Sequence, residues 1–448
     1  MEFFKKQYQI LSLVAFILLG CSSDEEQSTT LEIKVTNFET SYSQVKLNWE
    51  LVRPNGIIIE DLLIYRQSKN NATDNVTLEL VANLPSNETS FIDNDVPYKT
   101  EVSYTIKINY TDERLTPTNP TNPSGLLSLE SEQKKFIRNI VTFDIVPFQV
   151  QKDPILVDEF HILDRQGNGV LKRYNGTLNQ LTKTILFTNG NLLNNKFHIV
   201  NNTDLYVADT QGKIYKINTE NYTTTAIYNT IINDNLNAFA VDGDRIYYQD
   251  EEIWWYYNTT NGTSENTHIA TTANYVETLS DHNFLFLYGS GAAIRSYNPT
   301  NCNASNCMPD FGAGTQGAIL GNNAMDPNIF SWNTSKSKFI TSIDGRIFNL
   351  SNFQQEIKLS DITGKKYFQF VFDNNNNIYA TVQNEKKIHK FNSSYELIEV
   401  IDTKLYPLFP MLTSNGLKVI GGYEPVTYWS FGYGYSFYFN IKCAIETF

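Results

Sequence analysis

Short segments in which apolar and polar residues alternate follow one another along most of the chain. Clear examples are Val45–Glu50, Leu62–Arg66, Thr89–Asp93 and Val102–Tyr110, and Pro54–Gly56 is a typical turn between two of them. A period of two places alternate side chains on one face of a β-strand. Because turn-forming residues separate the segments, the pattern predicts a nearly all-β protein.

The four strands in residues 31–112 have the spacing of a β-sandwich. Trp49 stands in an early strand, Tyr104 opens a late strand after a turn containing Pro97, and the segment has no Cys. In these features the segment resembles a fibronectin type III domain. The resemblance implies a sandwich that serves as a spacer or as a protein-binding module.

A Pro-rich stretch follows the expected sandwich. Pro117, Pro120 and Pro123 lie three residues apart among Thr and Asn. This spacing favours an extended, stiff chain and is incompatible with the interior of a sheet. We therefore place a linker at residues 113–135 and a second domain at residues 136–448.

A repeated pattern fills the second domain. Each copy has a polar turn, an apolar strand with Tyr or Phe, a second turn, and a strand that ends near a basic residue or Asn. Weaker copies begin near Glu159, Asn328 and Gly416. The clear copies are Asn202–Asp209 with Gly212–Asn218, Asp242–Gln249 with Glu252–Asn258, His282–Leu287 with Ala293–Asn298, and Asn377–Thr381 with Lys387–Asn392.

The copies recur about every 40–45 residues, which is the length of one four-stranded propeller blade. They resemble the NHL and quinoprotein-like β-propellers, without the Trp-Asp ending of WD repeats. Seven marker residues, one in each copy, predict seven blades, with six or eight also compatible. We expect Phe136–Val150 to complete the last blade and Tyr435–Lys442 to be the final strand. The marker residues are Phe160, Leu205, Ile246, Phe284, Ile329, Ile378 and Leu417.

The composition agrees with β structure and excludes some partners. Tyr and Phe number 27 and 28, and aromatic rings pack well on pleated surfaces. The net charge of −13 argues against a nucleic-acid partner, because nothing would neutralise the phosphates. It also argues against binding of anionic lipid headgroups by side chains.

The N-terminus has the pattern of an export signal. Lys5 and Lys6 precede the apolar run Ile10–Leu19, which is too short to span a bilayer as a mature helix. The run ends in Leu18-Leu19-Gly20-Cys21, which resembles the lipobox of bacterial lipoproteins. The resemblance implies that residues 1–20 are removed and that Cys21 carries fatty acyl chains, which anchor the protein to a membrane. The alternative is an ordinary signal peptide that ends near a chance Cys.

Residues 21–30 are polar and predict a flexible tether. In the sorting rule of Gram-negative lipoproteins, Ser22 in place of Asp directs the protein to the outer membrane. Asp24–Glu26 resembles an acidic export tag, which would place the protein on the cell surface. If it is only a solvated tether, the periplasmic face is equally compatible.

Three Cys remain after the lipidated one. Cys302 and Cys307 enclose a short loop of polar and small residues, and in an oxidising compartment this predicts a disulfide. Cys443 is either a buried thiol or the partner of one of these two.

No motif for catalysis or for a cofactor is evident, and none of the five His belongs to a metal-protease motif. Asp373–Asn377 offers oxygens at alternate positions like a calcium loop, but Ile378 replaces the required Gly, so we interpret it as an Asn-rich turn. The aromatic clusters at Trp254–Tyr257 and at Tyr428–Tyr438 either bind sugars or a protein, or pack between blades.

Together these features predict a membrane-anchored, non-catalytic binding or scaffold protein with a protein or glycan ligand. The first alternative is a propeller enzyme of the lactonase, lyase or glycosidase type. Its carboxylates, with or without a metal, would meet at the central channel, and the candidates are Asp242, Glu277, Asp326 and Asp373. A second alternative is a sensor or assembly factor that uses an exposed aromatic patch.

Overall fold

The computed structural model describes residues 30–71, 74–76, 78–115, 125–187, 197–232, 236–270, 272–279, 283–288, 293–297, 317–320, 324–426, 428–431, 434–437 and 441–448. Strands account for 58% of the structure and helix for 1%, so the predicted all-β class is confirmed. The chain divides into two compact units between Arg138 and Asn139. Within the described residues, none of the helices has the length and apolar character needed to cross a membrane.

The first unit consists of two antiparallel sheets. One has the strand order β1-β2-β5, and the other has the order β4-β3-β6-β7, with β8 also paired to β6. The strands are β1 (Glu32–Thr40), β2 (Val45–Val52), β3 (Ile57–Lys69), β4 (Glu79–Leu84), β5 (Ser90–Asp93), β6 (Glu101–Asp112), β7 (Leu127–Glu130) and β8 (Lys134–Ile137). Trp49 and Tyr104 lie buried in an apolar cluster that draws on both sheets.

A buried polar cluster also connects the two sheets. Nη1 of Arg66 on β3 donates to Oδ2 of Asp93 on β5 at 2.7 Å. The hydroxyl of Tyr104 on β6 donates to the same oxygen at 2.7 Å. The carboxylate of Glu79 on β4 accepts from Nη2 of Arg66 at 2.8 Å. Burial is tolerated here because each charged group has hydrogen-bonding partners.

The first unit extends further than the sequence pattern indicates. Strands β7 and β8 pair with β6 and fall within or next to the range 113–135 that we assigned to a linker. Lys134–Ile137 therefore belongs to the first unit and not to the second. These two strands are only four residues long, which is too short for a sequence pattern to identify them, so their pairing follows from tertiary contacts.

The second unit contains seven four-stranded antiparallel sheets among the described residues. Sheets are numbered here in chain order. After β9 (Thr142–Phe143), sheet 1 has β10 (Gln149–Lys152), β11 (Glu159–Asp164), β12 (Val170–Asn175) and β13 (Gln180–Leu186); sheet 2 has β14 (His198–Val200), β15 (Asp204–Ala208), β16 (Lys213–Asn218) and β17 (Thr224–Asn229); sheet 3 has β18 (Leu236–Asp242), β19 (Arg245–Asp250), β20 (Ile253–Asn258) and β21 (Ser264–Ala270).

The remaining sheets repeat the same order. Sheet 4 has β22 (Tyr275–Thr278), β23 (Phe284–Tyr288), β24 (Ala293–Tyr297) and β25 (Gly317–Ile319); sheet 5 has β26 (Phe330–Trp332), β27 (Lys338–Thr341), β28 (Arg346–Asn349) and β29 (Gln355–Lys358), followed by helix α1 (Leu359–Thr363); sheet 6 has β30 (Tyr367–Phe372), β31 (Ile378–Val382), β32 (Lys387–Phe391) and β33 (Leu397–Asp402); sheet 7 has β34 (Tyr406–Thr413), β35 (Gly416–Gly422) and β38 (Cys443–Thr447).

Sheet 7 is completed by the beginning of the unit. Its strand order is β34-β35-β38-β9, with Ala444 opposite Thr142 and Cys443 opposite Phe143. Strand β9 lies inside the stretch Phe136–Val150 that we expected to complete the last sheet. The expected final strand Tyr435–Lys442 is wrong, because the last strand is β38. A separate hairpin of β36 (Tyr428–Phe431) and β37 (Gly434–Phe437) precedes it.

The apolar residues of each sheet pack against those of the next sheet. Pairs from successive sheets that share one cluster are Leu171 with Leu205, Ile214 with Ile246, Tyr247 with Phe284, Leu285 with Phe339, Ile340 with Ile378, and Ile388 with Val419. A further cluster contains Ile420 of sheet 7 and Phe160 of sheet 1. The series of packed sheets therefore returns to its starting point.

The four clear repeat copies are confirmed as hairpins, in which β15 pairs with β16, β19 with β20, β23 with β24, and β31 with β32. One marker residue is wrong. Ile329 precedes the first strand of sheet 5, whereas the other markers lie in second strands. The equivalent position in sheet 5 is Phe339 on β27. The repeat is longer here because sheet 4 includes the long segment between β24 and β25.

The turn between the third and fourth strands has a similar hydrogen-bonding pattern in several sheets. In sheet 2, Oδ1 of Asn218 accepts the N–H groups of Glu220 and Asn221. The N–H of Tyr222 donates to the carbonyl of Asn218 at 2.9 Å, and Tyr222 has a φ of 63°. The same carbonyl bond joins Asn258 with Gly262 and Asn349 with Phe353. In sheet 6 the carbonyl of Asn392 accepts the N–H of Tyr395, which is one position closer in the chain. An Asn side chain suits such turns because it can cap backbone N–H groups.

Candidate functional site

Asp326 and Asp373, two of the four carboxylates proposed for an enzyme, lie at opposite ends of neighbouring strands. Oγ of Ser331 donates to the carbonyl of Phe370 at 2.8 Å, and Oγ1 of Thr334 donates to the carbonyl of Asp373 at 3.1 Å. Both pairs are 39 positions apart, so the first strands of sheets 5 and 6 run in the same direction. Asp326 precedes β26, whereas Asp373 follows β30. These two carboxylates therefore do not converge.

Asp242 and Glu277 lie near the carboxyl ends of the first strands of sheets 3 and 4. Oγ1 of Thr278 donates to the carbonyl of Val241 at 2.9 Å, which brings these strand ends together. The Glu277 carboxylate accepts the hydroxyl of Tyr275, so it has a partner within its own strand. Three of the four candidates thus lie at the carboxyl ends of first strands, since Asp373 follows β30. The contact between Thr278 and Val241 brings two of them, Asp242 and Glu277, to neighbouring strand ends.

The carboxylate of Asp373 is used by its own turn. Oδ1 accepts the N–H groups of Asn375 and Asn377 at 2.8 Å each. Oδ2 accepts Nδ2 of Asn377, also at 2.8 Å. This is an Asn-rich turn before β31, as the sequence indicated, and its geometry presents hydrogen-bond donors where a calcium ion would need oxygens. In the described part of the chain, no group of three or more His, Cys, Asp and Glu side chains is arranged to hold a metal.

Aromatic rings from four first strands meet in a row. His198 on β14 packs on Phe239 of β18 with ring centroids 4.7 Å apart, and it stacks on Tyr275 of β22 at 5.8 Å. Tyr275 in turn lies 5.3 Å from Phe330 on β26. Burial raises the pKa of Tyr275 well above its ordinary value. Because sheets 2 and 4 are not successive, the stack shows that first strands converge and that rings fill the space between them.

The buried histidines have structural partners. Nε2 of His161 lies 2.9 Å from Oδ2 of Asp153, and Nδ1 lies 3.0 Å from the hydroxyl of Tyr222. Both His161 and Asp153 side chains are fully buried, so substrate cannot reach this triad. His389 lies 3.0 Å from the hydroxyl of Tyr367, and burial lowers the pKa of His389. The side chain of His268 and the whole of His282 lie outside the described residues.

A charged group that the sequence analysis missed lies beside the start of sheet 1. The guanidinium carbon of Arg165 lies 3.6 Å from the ring centroid of Phe148. Burial lowers the pKa of Arg165 to about 9, and the charges of Asp326 and Asp164 oppose this shift. Asp164 also pairs with Lys172 at 2.5 Å. Two cations and two carboxylates therefore influence one another electrostatically in this network, and Asp326 comes from the connection between sheets 4 and 5.

The only sequence signal for this network is Asp164-Arg165 at the end of a strand, just before a Gly-containing turn. Adjacent charged residues of this kind are common at strand ends. Nothing in the sequence connects them with the distant Asp326. The long-range partner is therefore visible only in the folded chain. Both carboxylates of this network are buried, since Asp164 and Asp326 are each only 1% exposed.

The aromatic segment Trp254–Tyr257 packs between sheets. Trp254 contacts Phe286 of sheet 4 edge to face, with centroids 5.2 Å apart. Tyr257, on the opposite face of β20, lies 5.8 Å from Tyr228 of sheet 2. Because successive side chains of β20 point to opposite faces, its rings pack against both neighbouring sheets. The second aromatic segment is described only as the backbone pairing of β36 and β37, in which Trp429 stands opposite Ser436.

Of the four cysteines, Cys443 is among the described residues and the other three are not. Cys443 is a free, buried thiol on β38, and its Sγ donates to the carbonyl of Ile441 at 3.3 Å. Burial raises the pKa of Cys443, which makes the thiol unreactive in the folded state. The lipidation site Cys21 and the expected disulfide of Cys302 and Cys307 lie outside the described residues.

Comparison with known proteins adds no further identification. No protein-family model matches the sequence, and no curated protein is significantly similar to it.

Proposed function

We propose that this chain is a lipid-anchored protein of the bacterial cell envelope that binds a protein or glycan without catalysing a reaction. A fibronectin type III-like sandwich leads to a seven-bladed β-propeller. The observation that carries the propeller is the succession of seven four-stranded sheets whose apolar clusters join each sheet to the next and sheet 7 to sheet 1. The pairing of β9 with β38 supports the same closed arrangement.

The sandwich is supported by the strand orders β1-β2-β5 and β4-β3-β6-β7, which face one shared apolar cluster. Trp49 and Tyr104 lie in that cluster, as the fibronectin type III resemblance implies. A module of this kind suits a spacer that separates the second unit from an anchor.

Binding without catalysis is supported by the positions of the polar groups. Asp326 and Asp373 lie at opposite strand ends, and the Asp373 carboxylate is bound within its own turn. His161 and its partner Asp153 are fully buried. The rings of His198 and Tyr275 fill the space between first strands, where an enzyme of this fold would place substrate. We therefore favour binding on an outer surface of the second unit.

The anchor is proposed from Leu18-Leu19-Gly20-Cys21 alone. Its test is fractionation and proteinase treatment of intact cells that express wild type, Cys21→Ala or Ser22→Asp. We expect wild type in the outer membrane, the Cys21→Ala variant released from membranes, and the Ser22→Asp variant in the inner membrane. Cleavage of wild type by external proteinase would indicate the cell surface, and protection would indicate the periplasmic face. If Cys21→Ala fractionates like wild type, the lipid anchor is wrong.

A further inference from the structure

Strand β33 is the outer edge of sheet 6 and differs from the other outer strands in those side chains that the structure describes. Leu397, Ile398 and Val400 on this strand are exposed by 39%, 52% and 46%. Strands β13 and β17 each have one large apolar residue exposed to this degree, Leu186 and Ile227. In the described residues no strand pairs with the outer side of β33. An apolar edge of this kind is a template for another strand.

The register shows which backbone groups of β33 are available. The N–H of Thr403 donates to the carbonyl of Lys386 at 2.9 Å, and the pairing continues as Lys387 with Asp402 and His389 with Val400. In an antiparallel ladder, hydrogen-bonded pairs alternate with non-hydrogen-bonded pairs. The backbone groups of Asp402 and Val400 therefore point away from β32, toward the open side of the sheet.

The charges on this strand are of one sign. Glu396, Glu399 and Asp402 are the charged residues between Tyr395 and Thr403, and all are acidic and exposed. The nearest cation to Glu399 is Lys390 on the inner neighbour β32, with 3.5 Å between Nζ and Oε2. Pairing with a second copy of β33 would bring two such acidic sets together, which is unfavourable. Charge complementarity therefore favours a basic strand as the partner of β33.

We infer that β33 docks an extended, basic segment of a partner protein, which adds as a fifth strand to sheet 6. This inference rests on the proposed binding function and names the class of partner. The backbone of Val400 and Asp402 supplies hydrogen bonds, the exposed Leu397, Ile398 and Val400 contact apolar side chains, and the acidic residues attract Lys or Arg. The main chain thus gives affinity, and the side chains give specificity.

The test uses the full chain with Cys21→Ala and a fluorescent probe peptide, Lys-Val-Lys-Val-Lys-Val, capped at both ends. The probe has the length of β33, which is six residues. The variant Val400→Pro removes an outward N–H that the ladder does not use, so the sheet retains its own hydrogen bonds. The matched control Val400→Thr keeps both the N–H and the β-branched shape.

We expect Val400→Pro to weaken probe binding about tenfold or more while melting near the control temperature, and Val400→Thr to bind within about threefold of the parent. The double variant Glu399→Gln with Asp402→Asn should weaken binding and reduce its dependence on salt.

Three results would overturn the inference. They are equal binding by Val400→Pro, equal binding of a probe in which every peptide nitrogen is methylated, and no binding of the probe at millimolar concentration. The chain could instead associate with itself, lose that association in the Val400→Pro variant and fail to bind the probe. This result would show that β33 pairs with a second copy of the chain, and it would also overturn the inference of a basic partner. None of these results affects the fractionation test of the anchor, so the two proposals fail separately.

Discussion

The carboxylate of Asp158 binds Ser414, which lies 256 positions later in the chain. The N–H of Ser414 donates to Oδ1 at 2.7 Å, and its hydroxyl donates to Oδ2. Oγ1 of Thr177 adds a bond to Oδ2 at 2.9 Å. Asp158 stands in the turn between β10 and β11, and Ser414 stands between β34 and β35. One buried carboxylate thus connects the first sheet of the second unit to the last.

Loss of this carboxylate should weaken the connection. Asp158 has a φ of 59°, which Gly and Asn adopt readily. The Asp158→Gly variant therefore removes the hydrogen bonds without adding backbone strain, and it should lower the free energy of unfolding by about 1–3 kcal/mol. Asp158→Asn keeps one oxygen as an acceptor and should lose less. Denaturant unfolding followed by Trp fluorescence measures both, and equal stability of Asp158→Gly and wild type would contradict the expectation.

The same group should make stability depend on pH. Burial disfavours the ionised form of Asp158, but the hydrogen bonds from Ser414 and Thr177 outweigh it and lower the pKa of Asp158. A carboxyl with a lowered folded-state pKa stabilises the fold above its unfolded pKa, about 3.9. This contribution is lost as the pH falls through the folded-state value. Wild type should therefore lose more stability than Asp158→Asn between about pH 5 and pH 3, and parallel profiles would argue against this role.

The buried cluster in the first unit predicts a larger effect. Replacing Arg66 with Met leaves Asp93 buried beside the hydroxyl of Tyr104 with no cation, which costs about 3–5 kcal/mol. Trp49 is the sole Trp of the first unit and reports its unfolding once the other Trp residues are replaced by Phe. The control is Arg114→Met, because the Arg114 side chain is 42% exposed in its ion pair with Asp112 and its loss should cost less.

Thiol titration tests the expected disulfide in the Cys21→Ala variant. Three Cys then remain, and Cys443 is buried and free. We expect no reaction in the native protein, one reactive thiol after denaturation without reductant, and three after reduction. Cys302→Ser should then expose one additional thiol without reductant. Three reactive thiols in the unreduced, denatured protein would show that Cys302 and Cys307 are not bonded.

The sequence predicts hairpins well where a short apolar run lies between two polar turns. The copies around Leu205, Ile246 and Ile378 form second and third strands because their apolar residues must be buried on both faces of a packed sheet. Ile329 misleads because it is buried just before a strand, so its apolar character alone does not distinguish it from the true second strand at Phe339.

The other features of the fold and of the candidate site depend on contacts between residues that are far apart in the sequence. Tyr222 has a positive φ in an Asn-capped turn so that its ring can reach His161 of the preceding sheet. The recurring pair of Asn residues three apart, as at Asn218 and Asn221, is the signal that would have found this turn. By contrast, the electrostatic interaction of Arg165 with Asp326 joins residues that are distant in the sequence, and it arises only in the folded chain.

The pairing of β9 with β38 also sets the order in which the second unit is completed. Because Thr142 pairs with Ala444, the seventh sheet cannot be completed until nearly the whole chain has been synthesised. Contacts of such long sequence separation form slowly, and the earlier sheets spend that time with one end uncovered. For a chain that crosses a membrane before it folds, this delay is an advantage, because the last residues to arrive are the ones that close the structure.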